Sequence, residues 1–270
     1  MGKHKIEFKI ESKSHFYEAP ADWNSMQKKD LHKWAGIVLR NQTIEDSLEI
    51  AVYSLYNLPK GLFCNIPSIY MLQLKDTLRF LATNTLTKNV IGTIRIFGKK
   101  FYGPGNKLAN LTIAEYRRTE IYYQLYQKTK SPQFLLLLVS TLYRPHGNNI
   151  NGDDLRCAID EGDIHSRADF FKWALSHNLR CSILLFYEGC RSYIIENHPE
   201  VYKPISNNNH DPFNQTKNSN ELIDLEDHIL SYAGGKLGNY KETSESNLYL
   251  FLKHMTQKIE ELERSSRNGK

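Results

Sequence analysis

The side chains best suited to chemistry lie between residues 153 and 169, where six carboxylates accompany one imidazole. Carboxylate oxygens and a histidine nitrogen can together hold a divalent metal ion. The preceding residues 148–152 lack the ligand spacing of a calcium-binding loop. Such clusters also occur as helix starts and solvated turns, so both interpretations stay open. The cluster comprises Asp153, Asp154, Asp160, Glu161, Asp163, His165 and Asp169.

No catalytic motif accompanies this cluster. The ten histidines never pair four residues apart, and HExxH, CxxC, GxSxG and GxxxxGK[ST] do not occur. The segment from Gly103 to Lys107 resembles a phosphate-binding loop superficially, but it lacks the second Gly-Lys-Ser/Thr part, which favours a tight turn. Gly234–Lys236 fails the same comparison. The sequence therefore predicts a protein that is not an enzyme and has no cofactor or metal.

Composition sets the broad class. The 270 residues are 40% apolar and 24% charged, which is typical of a globular protein with a sizeable core. Residues 1–15 are charged throughout and no apolar run is long enough for a bilayer, so we expect neither a signal peptide nor a membrane partner. The four cysteines have no paired spacing, which indicates free thiols in a reducing compartment.

Charge is segregated along the chain. Residues 75–145 hold twelve basic and three acidic side chains, whereas residues 146–270 hold fourteen basic and nineteen acidic ones. A basic middle part can face a polyanion. It can equally dock on the acidic part of a neighbouring subunit, as a head-to-tail ring requires. The alternative is that both parts are simply solvated.

Residues 111–145 organise the fold prediction. They indicate two helices joined by a turn at residues 129–132, with Ser131 as N-cap and Pro132 at the first helical position. The second helix is apolar on nearly every side, which predicts burial all round or contacts on two faces. Tyrosines recur on shared faces of the first helix, a pattern more typical of a core or a protein interface than of a cofactor site.

The remaining patterns predict a mainly α fold of the α+β type. Strict alternation over residues 3–12 indicates a strand, which needs a partner from a neighbouring chain or a hairpin within its own. Residues 90–102 indicate a small β-hairpin or a projecting loop. We expect a helical domain with its N-terminal strand at 1–203, an Asn-rich linker at 204–220 and a C-terminal helical arm at 221–270.

Two sets of residues are candidates for contacts. The segment 84–110 has basic side chains beside aromatic ones and no acidic residue, so it is the best candidate for contacting nucleic acid or a partner. The terminal strand and helix have apolar faces that can lie on a neighbouring subunit. The basic set is Lys88, Arg95, Lys99, Lys100 and Lys107, and the candidate inter-subunit set is Ile6, Phe8, Ile10, Phe251, Met255 and Ile259.

One family resemblance adds a function to these patterns. The pattern L-T-x-x-E-Y…Y-Y…Y-x-K-T…L-x-x-L-V…L-Y-R-P, from Leu111 to Pro145, resembles virion proteins of crAss-like tailed phages. The similarity extends to Pro20–Asn24, Leu185–Arg191 and His198–Tyr202. These are packing motifs and carry no chemistry.

The resemblance implies a virion structural protein. It implies a homo-oligomeric ring or adaptor at the head–tail connector or in the tail, assembled in the host bacterium beside portal and adjacent ring proteins and in passing contact with packaged DNA. Tail-assembly chaperones also begin with a Pro…Trp segment leading into short helices, so that function stays open. A non-specific nucleic-acid-binding protein is the third hypothesis.

Overall fold

The fold is mainly α-helical with two small β-hairpins, as the sequence predicts. The computed structural model describes residues 2–10, 13–40, 43–147, 154–202 and 238–268. The hairpins are formed by β1 (Lys3–Ile10) with β2 (Lys13–Pro20) and by β3 (Thr93–Ile96) with β4 (Lys99–Tyr102). The α-helices of these ranges are α1 (Lys28–Val38), α2 (Ile44–Leu55), α3 (Lys60–Cys64), α4 (Ser68–Thr77), α5 (Ile113–Thr129), α6 (Pro132–Leu142), α7 (Glu161–Ala174), α8 (His177–Asn197), α9 (Tyr240–Glu245) and α10 (Leu248–Asn268).

The N-terminal strand finds its partner within the chain. β1 pairs antiparallel with β2, so that Ile6 lies opposite Tyr17 and Phe8 opposite His15. Ile6, Phe8 and Tyr17 are half-buried against the core, while the charged side chains between them face solvent. Of the two partners considered for this strand, the hairpin is the one formed, and addition to a neighbour's sheet is not needed to satisfy it.

Helix α6 is the centre of the core. Every side chain from Leu135 to Leu142 is buried, and the helix packs against α5, α7 and α8. The turn before it lies where the sequence predicts, with Lys130 in the left-handed conformation that ends α5 and Pro132 at the first position of α6. The apolar character on all sides therefore reflects burial among three neighbouring helices.

The sequence predicts helix starts at Thr43, with Asp46 three residues on, and at Ser166, with Asp169 three residues on, and the two predictions have different outcomes. Thr43 begins α2 as predicted, since its hydroxyl accepts a hydrogen bond from the Asp46 amide at 3.2 Å. A start at Ser166 is wrong, because α7 begins five residues earlier, where the Asp160 side chain accepts from the Asp163 amide at 3.2 Å. Both residue types can cap a helix, and the pattern alone did not show which one does so.

The longest described helices close the fold. α8 lies beside α1 and α6, and Gly189 on it lets the Leu86 backbone approach closely: a Cβ there would lie 2.3 Å from the Leu86 carbonyl oxygen. The first turns of α10 return to the start of α5, where the Leu248 amide donates to the Leu111 carbonyl at 2.9 Å. The predicted linker at 204–220 lies outside the described residues. The part of the predicted arm that is described packs on the main helical body.

Candidate functional site

The acidic cluster does not form a metal site in the described chain. Asp154 pairs with Arg156 at 2.7 Å, Asp160 caps α7, and Glu161 pairs with Arg118 at 2.7 Å. Asp153 lies outside the described residues. Among the described residues, no group of three or more His, Cys, Asp or Glu side chains is placed to hold a metal ion.

A buried ionic network lies beside this region. The Glu115 carboxylate accepts from Arg144 at 2.6 Å and from Arg156 at 3.2 Å, and these three side chains are nearly inaccessible to solvent. Arg144 also donates to the Cys157 carbonyl at 2.7 Å. The position of Arg144 just after α6 suggests a solvent-exposed side chain, but the structure shows it buried. The network joins the start of α5, the end of α6 and the segment before α7.

The charge of Asp154, at the edge of this network, is balanced by Arg156. Burial alone would raise the pKa of Asp154, but its hydrogen bonds and charge attraction with Arg156 outweigh that effect and hold its pKa below the usual value. Glu115 has a second structural task, because its backbone amide donates to the Thr112 hydroxyl that caps α5, at 3.2 Å. No open acid or base is left by these contacts, so the network fits a structural junction.

The tyrosines of α5 also belong to the core. The Glu120 carboxylate accepts from Tyr187 at 2.8 Å and from Arg191 at 2.8 Å, and the ring of Tyr123 lies 5.5 Å from that of Tyr187. Burial raises the pKa of Tyr123 to about 12, and it also raises the pKa of the fully buried Tyr116. Phenols with such pKa values stay protonated at neutral pH. Of the two interpretations of these faces, the structure shows the core.

The segment from Gly103 to Lys107 is a tight turn. Its amides donate within the chain: Gly103 to the Gly92 carbonyl at 2.8 Å, Gly105 to the Asn110 side chain at 2.6 Å and Lys107 to the Thr87 carbonyl at 2.7 Å. A phosphate-binding loop needs such amides free to face the ligand. The three amides are therefore unavailable to a phosphate, while Gly234–Lys236 lies outside the described residues.

The structure divides the five basic candidates into two groups. Lys107 sits against Tyr193, with its ammonium 4.3 Å from the ring centre and 3.0 Å from the hydroxyl, and Lys88 is half-buried in the loop before it. Arg95, Lys99 and Lys100 instead lie exposed on the β3–β4 hairpin. Only this second group forms a cationic surface, which covers both faces of the hairpin: Lys99 lies on the face of Ile94 and Phe101, and Arg95 lies with Lys100 on the other.

Aromatic rings complete that surface. Phe97 stands at the tip of the hairpin with 88% of its surface exposed, and its ring lies 6.4 Å from that of Phe170 on α7. Trp173, one helical turn further, is 87% exposed. The Lys99 ammonium lies 6.0 Å from the centre of the Phe170 ring. We call this the hairpin surface, comprising Arg95, Phe97, Lys99, Lys100, Phe170 and Trp173.

A second exposed surface is rich in large apolar and tyrosine side chains and lies on α2 and α4, with Glu49 and Lys75 at its cleft. Of the ten residues of α4 only Leu74 is buried, while Ile69 and Leu72 are 60% and 63% exposed. Tyr70, which periodicity places on the inner side of this helix, is exposed as well. An open cleft of about 400 Å³ lies beside it, lined in part by Phe63, Ile66 and Met71. We call this surface the apolar helical face, comprising Ile50, Tyr53, Ile69, Tyr70 and Leu72.

The predicted inter-subunit residues lie largely elsewhere. Phe251 and Met255 are buried in the core of their own chain, which corrects their assignment to a surface between subunits. Ile6, Phe8 and Ile259 are half-buried against the same core. Ile10 ends β1, and its side chain lies outside the described part. The amphipathic pattern of α10 correctly predicted that one face of the helix is buried, but that face packs on α5 of the same chain.

Sequence reasoning missed the most exposed large apolar side chains. Nothing in hydropathy separates Trp173 or Ile69 from a core residue, because burial depends on tertiary neighbours. One signal was available for Phe97: a Phe-Gly pair between two short runs of β-forming residues fits a two-residue hairpin turn, which places the Phe at a solvent-exposed tip.

Comparisons with family models, with curated proteins and with solved structures find no match to this chain. No helix in the described ranges is long and apolar enough to cross a membrane. The likeness to phage virion proteins therefore stays an expectation, and the two exposed surfaces are the observations from which a function can be argued.

Proposed function

We propose that this chain is a structural subunit of a symmetric assembly, and that the apolar helical face is where a second copy docks. The observation that carries the proposal is the exposure of Ile69, Tyr70 and Leu72 together on α4. Exposed apolar patches of contiguous side chains are typical of protein interfaces, whereas scattered single ones are common on any surface. Tyr in particular is enriched at interfaces, where its ring is buried and its hydroxyl stays wet.

The charge distribution supports repetition of the same chain around an axis. A net charge of +9 in residues 75–145 against −5 in residues 146–270 gives neighbouring copies opposite charges to juxtapose. Such complementarity fixes subunit order and speeds encounter, while the apolar contact supplies affinity. A head-to-tail contact that closes produces a ring.

At the finest level we propose that the assembly is the neck or tail of a tailed phage, where the subunit surrounds the DNA channel beside portal and other ring proteins. The motifs that resemble phage virion proteins support this proposal. In the structure they serve packing: Trp23 is buried and donates to the Thr83 carbonyl at 2.7 Å, and Gly189 admits the Leu86 backbone.

A mutational experiment tests the docking surface. The double variant I69E/L72E places two carboxylates on the apolar helical face, and S192E/Q257E places two on exposed positions of α8 and α10 as a matched control. Size-exclusion chromatography with light scattering over a concentration series should show oligomers for the wild type and the control. The I69E/L72E variant should remain a monomer with an unchanged circular dichroism spectrum.

Two results would contradict the proposal. A wild type that stays monomeric at the highest concentration removes the homo-oligomer, and an I69E/L72E variant that still assembles removes this surface as the interface. Mass spectrometry of purified particles tests the finer level. A virion subunit is present in mature particles, whereas a tail-assembly chaperone is absent.

A further inference from the structure

The turn of the hairpin surface holds its first residue, Phe97, in an unfavourable backbone conformation. Phe97 and Gly98 form a two-residue loop between Ile96 and Lys99, with φ of +46° and +79°. A turn of this kind requires positive φ at both residues and favours Asn-Gly, whereas a bulky side chain at positive φ is strained. The molecule therefore keeps a Phe where Asn would be more stable, and leaves its ring exposed. Strained, exposed positions of this kind cluster at functional sites.

Two cations of the hairpin surface also destabilise the strand pair. Arg95 lies directly opposite Lys100 in the antiparallel register, on the face that points away from the buried Ile94 and Phe101. Like charges opposite each other destabilise a strand pair. Within the described residues, none of the ion pairs involves Arg95, Lys99 or Lys100. An anionic partner would relieve this repulsion.

The rings and the cations meet at the hairpin tip, with Lys99 on the face of the rings and with Arg95 and Lys100 on the opposite face of the two-stranded hairpin. Lys99 bridges them, because it belongs to the hairpin and lies over Phe170 on α7. Phe97 lies beside Phe170 at the hairpin tip, and the exposed Trp173 is one helical turn after Phe170 on α7. Flat exposed rings beside unpaired cations are what unstacked bases and their phosphates require.

We propose that the hairpin surface binds single-stranded nucleic acid. Bases stack on Phe97 and Trp173, while Arg95, Lys99 and Lys100 neutralise phosphates. A duplex offers phosphates but keeps its bases stacked on each other, so it cannot use the rings in this way. An acidic peptide offers charge without planar bases. This inference does not depend on the proposed subunit role, since it uses a different surface.

Fluorescence anisotropy with labelled 20-nucleotide oligo-dT and oligo-U measures the binding. Contact between three cations and phosphates predicts a slope of about −2 for log affinity against log salt concentration. The variant K99Q/K100Q should make this slope shallower by about 1.4. K28Q/K29Q removes an adjacent, exposed lysine pair at the start of α1 and is the matched control, which should bind as the wild type does.

The variant F97N separates function from stability. Asn suits the positive φ of the turn, so the thermal midpoint should stay or rise while affinity falls about fivefold or more through loss of one stacked base. W173Q removes an exposed ring and should weaken binding to a similar degree without unfolding the chain.

The outcomes are distinct from those of the oligomer test. The inference is overturned if F97N and W173Q bind as the wild type does, or if K28Q/K29Q loses as much affinity as K99Q/K100Q. Equal affinity for duplex DNA or for a poly-glutamate peptide would show that only charge is recognised. The monomeric I69E/L72E variant should bind each single site with wild-type affinity, so failure of the subunit proposal leaves this one standing.

Discussion

Glu115 connects three segments that are distant in sequence. Its carboxylate pairs with Arg144 from the end of α6 and with Arg156 from the segment before α7, and its amide donates to the Thr112 hydroxyl that caps α5. Charges taken out of water are tolerated only when each has a partner, and removing one partner leaves the others uncompensated. The residue is therefore more sensitive to substitution than its position in the first turn of a helix suggests.

Replacing Glu115 by Gln should lower the free energy of unfolding by about 3 kcal/mol, because two buried guanidinium groups lose a shared anion. Urea titration followed by circular dichroism measures the loss. Glu161→Gln is the matched control, since Glu161 also pairs with an arginine at 2.7 Å but is largely exposed, and it should cost no more than about 1 kcal/mol. Equal losses for both variants would show that burial of the network adds nothing.

Sequence reasoning at the residue scale found the helix start at Thr43, placed that of α7 wrongly at Ser166, and missed the long-range pairs. Thr43 and Pro132 act within one helical turn, so local spacing identifies them. Arg144 and Glu115 are 29 residues apart, and nothing in either neighbourhood shows that they meet. For the same reason the acidic cluster suggested a metal site: Glu161 pairs with Arg118, which is 43 residues away in sequence. The partner of Asp154, by contrast, is Arg156 only two residues further on.

At the scale of elements, the predictions succeeded where periodicity and turn chemistry agreed. Helices α5 and α6 and the β3–β4 hairpin lie close to their predicted positions, since each combines a strong pattern with clear ends. The partner of β1 could not be chosen in advance, because alternation fixes which face is buried but not which strand is adjacent.

The contact between α8 and the 84–87 segment depends on Gly189. A Cβ there would lie 2.3 Å and 2.7 Å from the Leu86 carbonyl oxygen and amide nitrogen. Because both are backbone atoms, the 84–87 segment itself would have to shift to make room. The segment is fixed on the helix by Asn84, which donates to the Leu185 carbonyl at 2.7 Å and accepts from the Leu86 amide at 3.1 Å.

Gly189→Ala should therefore destabilise the protein by about 1–3 kcal/mol, as overpacking does elsewhere. Gly61→Ala on α3 is the control: no atom lies within 4 Å of the added methyl group, and the change should be neutral or stabilising by up to about 1 kcal/mol. Thermal unfolding of the two variants compares them directly. A stable Gly189→Ala protein would mean that the close approach is not required.

At the scale of the whole molecule, the C-terminal helix decides whether the chain is self-contained. Sequence pattern allowed α10 to lie on its own domain or on a neighbour, since an amphipathic face shows only that something covers it. In the structure Phe251 is fully buried, and backbone hydrogen bonds join residues 246 and 248 to residues 113 and 111 at 3.0 and 2.9 Å. The helix thus completes the core of the same chain.

Phe251→Ala should consequently lower the unfolding free energy by about 3–5 kcal/mol, because it opens a cavity in that core. Leu250→Ala, one residue earlier on the exposed side of the helix, should cost far less. Packing within one chain also makes the unfolding midpoint of the monomeric I69E/L72E background independent of protein concentration. If the helix were exchanged between copies, the midpoint in that background would rise with concentration, and the cost of Phe251→Ala would rise with it. Unfolding midpoints of the I69E/L72E variant with and without Phe251→Ala, measured at protein concentrations tenfold apart, therefore distinguish an arm that joins subunits from a helix that belongs to the core of its own chain.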